Sequence, residues 1–150
     1  MFPTLHAAAG SDASPTIWSR VFLAIPAQVR EARRSLASIL AGCPAADDAA
    51  LCLSELASNA AVHSRSREPG GHFTVCVQVT EAGRIRVEVV DEGGPWTQPV
   101  RGDGQHGRGL LIVSELARDW GRAGDAATGW TVWFEMDVLM TGPGDRPEQP

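Results

Sequence analysis

The chain has 150 residues, with 13 basic and 18 acidic side chains, a formal charge of -5 and no Tyr. Every basic residue is Arg, which excludes a Walker-type phosphate lysine, a Schiff base and the eukaryotic-type protein-kinase lysine at the α- and β-phosphates. The acidic balance argues against duplex nucleic acid or an anionic membrane as the main partner, because both reward clustered positive charge.

The length suits one domain, which would bury roughly 70% of its unfolded surface. Residues 1–15 are rich in Ala, Ser, Pro and Gly, and residues 141–150 hold little that is apolar, so both ends are expected to be disordered around a domain spanning 16–140. The amino-terminal stretch lacks the charged and apolar regions of a signal peptide, and no apolar run approaches the ~18 residues needed to span a bilayer. Cys43, Cys52 and Cys76 are widely spaced and show no metal-ligand pattern, which reads as buried thiols in a reducing compartment. A cytoplasmic location is the expectation.

Taken in order, Ile17 to Ile25 is rich in β-branched and aromatic residues and predicts a strand ending before Pro26, a residue suited to the first turn of a helix. Val29, Arg33, Leu36 and Leu40 then recur at helical spacing, and Gly42 with Pro44 ends that helix. A second helix is expected from Ala46 to His63, with Asp47 and Asp48 complementing its dipole. Two alternating segments, Phe73 to Thr80 and Ile85 to Asp91, are close enough in sequence to form a hairpin. A Gly/Pro-rich loop from Glu92 to Gly107 precedes a helix from about Gly109 to Trp120. The last strand is Gly129 to Val138, with Asp119 to Arg122 as a candidate hairpin mate. This order predicts an α+β fold, a two-layer α/β sandwich whose mainly antiparallel sheet is covered on one face by helices. Trp120, Trp130 and Trp133 are expected to pack in the core.

Three clusters could carry chemistry. On the second helix, Leu53, Leu56, Ala57 and Ala60 form an apolar stripe, while Glu55, Asn59 and His63 fall at i, i+4 and i+8 on another face. A carboxylate one turn from a carboxamide can hold a hydrated cation beside a reactive group, although an isolated pair of this kind is ordinarily a solvated face. Asp91-Glu92-Gly93-Gly94 follows a strand, where it either begins a turn or aims a carboxylate at an exocyclic amino group, with Gly93 allowing a ring to approach. The third cluster, Gly102 to Val113, runs glycines into a helix start and so offers backbone N–H groups to an anion. Its G-x-G-x-x-G at Gly102, Gly104 and Gly107 lies too far beyond the strand ending at Asp91 for a dinucleotide-binding fingerprint.

ELASN, VVDEGG about thirty residues later, and HGRGLLIV after a loop together resemble the N, G1 and G2 boxes of the histidine-kinase-like (GHKL) ATPase superfamily. SELASNAAVHS and GRGLLIVSELARDWG are similar to the bacterial anti-sigma-factor serine/threonine kinases within it. The resemblance implies that Glu55 is the catalytic carboxylate, Asn59 a Mg²⁺ ligand, and Asp91 the reader of the adenine amino group, with Gly93 beside the base. It places Gly104, Gly107, Arg108, Gly109 and Leu110 at the ATP phosphates and makes Gly94 to His106 a lid. The family's D-x-G-x-G becomes D-E-G-G-P here, with Pro95 at the second glycine. The implied partners are a STAS-domain anti-anti-sigma factor, a sigma factor and a second copy in a homodimer. The rival class is an interaction module that keeps the fold and acts through partner binding without catalysis.

Overall fold

The computed structural model describes residues 16–79, 83–94 and 109–137. The expected disordered ends and most of the expected lid lie outside them. Five strands and three helices follow in the order β1 (Thr16–Leu23), α1 (Pro26–Ile39), α2 (Ala46–His63), β2 (His72–Val79), β3 (Arg84–Val90), α3 (Gly109–Leu116), β4 (Asp119–Asp125) and β5 (Gly129–Asp137). The strands form one sheet in the order β1-β2-β3-β5-β4, and every pairing is antiparallel.

Alternation gives the sheet two unlike faces. The register sets Val75 opposite Val89, Val77 opposite Val87, and Val87 in turn opposite Phe134. With Phe22, Phe73, Ile85 and Met136 they make one buried apolar surface. Phe22 stacks on Phe73 across β1 and β2, with ring centroids 5.5 Å apart. Val29, Ala32 and Leu36 of α1, Leu53, Leu56, Ala57 and Ala60 of α2, and Val113 of α3 cover this surface. Burying side chains of this size contributes roughly 1.5–3 kcal/mol each, so the helix-to-sheet layer carries the stability of the domain. The opposite face sets Arg86 against Glu135 and Arg84 against Asp137, with the Arg86 guanidinium 4.0 Å from the Trp133 ring centroid. These partly exposed pairs add little stability individually.

The sandwich and α2 agree with the sequence expectation, and three details differ. In α1 the inward position falls to Ala32, while Arg33 is exposed, because Val29, Ala32 and Leu36 make the narrower stripe. Helix α3 ends at Leu116 and does not reach Trp120: Ala117 N–H still bonds the Val113 carbonyl, but Arg118 N–H turns to the Glu135 carbonyl of β5. The chain thereby enters β4, a longer strand than the expected hairpin mate. No tryptophan belongs to the fully buried core among the described residues. Trp120 is 36% exposed on an edge strand, and Trp130 and Trp133 are half-buried.

All three cysteines are free; Cys52 and Cys76 are buried, whereas Cys43 is half-buried. Burial, followed by the nearby Asp48 and Glu55 carboxylates, pushes the Cys52 thiol up to about 12, which makes it inert at neutral pH. No helix among the described residues is long and apolar enough to cross a membrane.

Candidate functional site

The apolar stripe of α2 is pressed on the sheet, and this rotation turns Glu55 and Asn59 sideways into half-buried positions. The start of α3 meets them there. A β-carbon on Gly109 would stand 2.8 Å from Glu55 Oε2 and 3.6 Å from Asn59 Nδ2, so the absence of a side chain lets the two helices approach. Val113, fully buried one turn later, fixes α3 in this position. Gly109 and Leu110 open α3, where the first turn of a helix has backbone N–H groups without intrahelical partners. Gly104, Gly107 and Arg108 lie outside the described residues, as do Pro95 and Trp96. His63 is the last residue of α2. Neither Glu55 nor Asn59 makes a side-chain hydrogen bond to another described residue.

Asp91 stands at the other end of the site, 7% exposed. Its Oδ1 accepts the Gly93 N–H at 2.7 Å and the Trp130 N–H at 3.0 Å, and its own N–H bonds the Trp130 carbonyl at 2.9 Å. Among the described residues, no donor is bonded to Oδ2. Burial raises the Asp91 pKa above the ordinary carboxylate value, the backbone donors from Trp130 and Gly93 oppose that shift, and Glu92 adds to it.

Gly93 has φ +87°, and a β-carbon there would lie 2.5 Å from the Ala126 carbonyl oxygen. Glycine at this position therefore has a structural cause in the β4–β5 turn, besides the room for a ring that the sequence suggested. The Gly94 N–H also bonds the Ala126 carbonyl, at 2.8 Å. That turn is shaped by Asp125, whose Oδ1 accepts both the Ala127 and Thr128 N–H groups and the Thr128 hydroxyl. On the far side, Glu92 N–H bonds the buried Ser66 hydroxyl oxygen at 3.1 Å, and Glu92 Oε1 lies 2.7 Å from His72 Nδ1. Sequence reading missed Trp130, Gly129 and Ser66 as parts of the site. The only signal for the first two was a glycine immediately before an alternating strand that could pair with the strand ending in Asp91.

The described residues contain no cluster of three or more His, Cys, Asp or Glu side chains arranged for a metal ion. The half-buried Asn59 carboxamide lies beside the start of α3.

The profile of the histidine kinase-like ATPase domain matches residues 22–136. The chain therefore belongs to the histidine kinase-like ATPase domain family, within the GHKL superfamily. Among solved structures, it is similar to a chain in the crystal structure of the SiaB–SiaC complex from Pseudomonas aeruginosa. The two share 14% identity over 81% of this chain and 89% of that one, with a TM-score of 0.59. It is also similar to the histidine kinase domain of the blue-light activated histidine kinase from Erythrobacter litoralis EL346. There the identity is 20%, the coverage 88% of this chain and 66% of that one, and the TM-score 0.52. At these identities the likeness is one of fold. No curated protein sequence gives a significant match.

Proposed function

We propose that this protein binds ATP with Mg²⁺ and transfers the γ-phosphoryl group to a Ser or Thr hydroxyl of a STAS-domain anti-anti-sigma partner, with sequestration of a sigma factor as an accompanying or separate role. The observation that carries this reading is the meeting of Glu55 and Asn59 with the first residue of α3. It joins, on one side of the sheet, a carboxylate, a carboxamide and the N-terminus of a helix. Membership of the ATPase family supports the nucleotide, and the likeness to a chain from a two-protein complex supports a protein partner.

In this reading, Asp91 Oδ2 accepts a hydrogen bond from the adenine amino group, and Gly93 lies beside the base. Gly104, Gly107, Arg108, Gly109 and Leu110 would meet the phosphates, and Asn59 would ligate the cation. Mg²⁺, when bound, neutralises phosphate charge and aligns the γ-phosphoryl group. Glu55 accepts the hydroxyl proton as the partner's oxygen bonds to γ-phosphorus. The bond from phosphorus to the β,γ-bridging oxygen breaks, and ADP leaves with its electron pair. Gly94 to His106 would be the lid, and the active form would be a homodimer in the cytoplasm.

The test is transfer of radiolabel from [γ-³²P]ATP to the cognate STAS protein, with wild type and Glu55→Ala compared. Transfer by wild type that Glu55→Ala abolishes supports the kinase. Partner binding without transfer would establish the non-catalytic interaction module instead.

A further inference from the structure

The segment after β3 and the turn between β4 and β5 meet through one residue. The Trp130 indole Nε1–H donates to the Gly94 carbonyl at 2.9 Å, while its backbone N–H and carbonyl bond Asp91 at both Oδ1 and N–H. Trp130 thus holds both ends of Asp91-Glu92-Gly93-Gly94 from residues 36 and 39 positions away in sequence. The Arg122 guanidinium lies 4.5 Å from the centroid of the Trp130 ring, close enough for a cation–π attraction that steadies the indole.

The surrounding backbone leaves this segment little slack. Gly129, immediately before Trp130, has φ +120°, and a β-carbon on it would lie 2.6 Å from the Asp91 carbonyl oxygen. On the other side, Ala126 fills the β-carbon position of Gly93. With Oδ1 committed to two backbone N–H groups, the carboxylate plane is set, and so is the direction in which Oδ2 can accept. A carboxylate oxygen fixed in this way distinguishes bases by where they present an N–H donor.

We propose that Trp130 is a positioning and specificity-determining residue for the nucleotide base: its indole N–H and backbone amide hold Gly94 and Asp91 so that Asp91 Oδ2 meets an amino group in the adenine position. The proposal rests on the nucleotide reading above and adds to it the element that sets base choice. Trp133 offers an internal control, because it lies on the same strand but on the opposite sheet face, against Arg86. A general loss of an aromatic ring pair or an indole from β5 would affect both tryptophans. Of the two, only Trp130 is bonded to Asp91 and Gly94.

The test compares wild type, W130F, W133F and R122L by two readouts: the ¹³C NMR titration of the Asp91 carboxyl without nucleotide, and the Kd values for ATP and GTP with Mg²⁺. In W130F the Asp91 midpoint rises, because loosened amide donors offset burial less. The ATP Kd rises about three- to tenfold, as expected for one lost hydrogen bond, while that for GTP changes less, so the preference for ATP narrows. W133F leaves the midpoint and the preference unchanged. R122L shifts both in the W130F direction by a smaller factor, and it decides the matter on the same criteria if W130F does not fold. ATP binding by wild type, with an unchanged midpoint and ATP:GTP ratio in W130F, overturns the proposal alone. Wild-type protein that binds neither nucleotide overturns the proposal together with the reading beneath it.

Discussion

At one end of the candidate site, proposed to take the base, Asp91 is buried and its Oδ1 takes two backbone N–H groups, whereas at the other, proposed to be catalytic, the side chains of Glu55 and Asn59 are half-buried and make no hydrogen bond to another described residue. The first arrangement is formed by the chain itself, so a base meeting Asp91 would require little ordering there. The second leaves a carboxylate and a carboxamide that, in the proposed reading, take substrate, proton and cation. In the proposed reading, recognition is built into the sheet and its turns, and chemistry is left to side chains on a helix that packs through a different face. Substitutions at the two ends should therefore separate in their consequences for stability and for activity.

The largest expected effect is on chemistry. Glu55→Gln should lower phosphoryl transfer by about 10²- to 10⁴-fold, the range for loss of a positioned acid–base group, while the denaturant midpoint stays at the wild-type value. A large fall in stability would show that Glu55 holds the fold and would collapse the distinction between the two ends.

Asp91→Asn sharpens the same contrast from the base end. The carboxamide oxygen still accepts from Gly93 and Trp130, but the accepting Oδ2 is replaced by a donor, and ATP affinity should fall about 10- to 100-fold, read by calorimetry. Stability should move the other way. The folded pKa of Asp91 is raised, so the native state holds its proton more tightly than the unfolded chain does. Its contribution is fully present below the ordinary value of 3.8 and is lost as pH rises through the folded pKa. Above that window the ionised, buried carboxylate lowers stability, so Asp91→Asn should equal or exceed wild type in Tm at pH 7 and flatten this part of the pH profile.

Gly93→Ala tests the backbone beneath Asp91. A positive φ and a β-carbon only 2.5 Å from the Ala126 carbonyl oxygen together should cost about 2–3 kcal/mol of stability in urea unfolding. Smallest is Ser66→Ala, which strips the hydroxyl that accepts the Glu92 N–H; a loss of about 1 kcal/mol is expected, with ATP affinity reduced only a few-fold.

The sequence disclosed most of the layer structure, because strict alternation marks β3, and α2 has both an apolar stripe and acidic residues in its first turn. It disclosed β4 only in part, as the candidate hairpin mate Asp119 to Arg122, whereas the strand runs to Asp125. Asp119–Asp125 is almost wholly exposed and contains two glycines, so no alternating burial signal was written into it; the strand exists because β5 supplies its hydrogen bonds. That Glu55 and Asn59 share a face was legible for a local reason: they are one helical turn apart on α2. Of the end proposed to take the base, only Asp91 and Gly93 stood out in the sequence. Trp130 reaches them through strand pairing, a long-range register that residue spacing does not encode, and the expectation that it packs in the core assigned its ring a different role. Ser66 joins Glu92 in the same way, through the turn after α2.

In the proposed reading, a lysine-free chain holds ATP through Asp91 at one end and through Mg²⁺, Asn59 and backbone N–H groups at the other. Isothermal titration of ATP into wild type and Asp91→Asn, with Mg²⁺ and again with excess EDTA, tests it most directly. Wild type should bind ATP, with an affinity that weakens strongly without Mg²⁺ and falls at least tenfold in Asp91→Asn. No binding heat in wild type, or equal affinity in the two proteins, would contradict it.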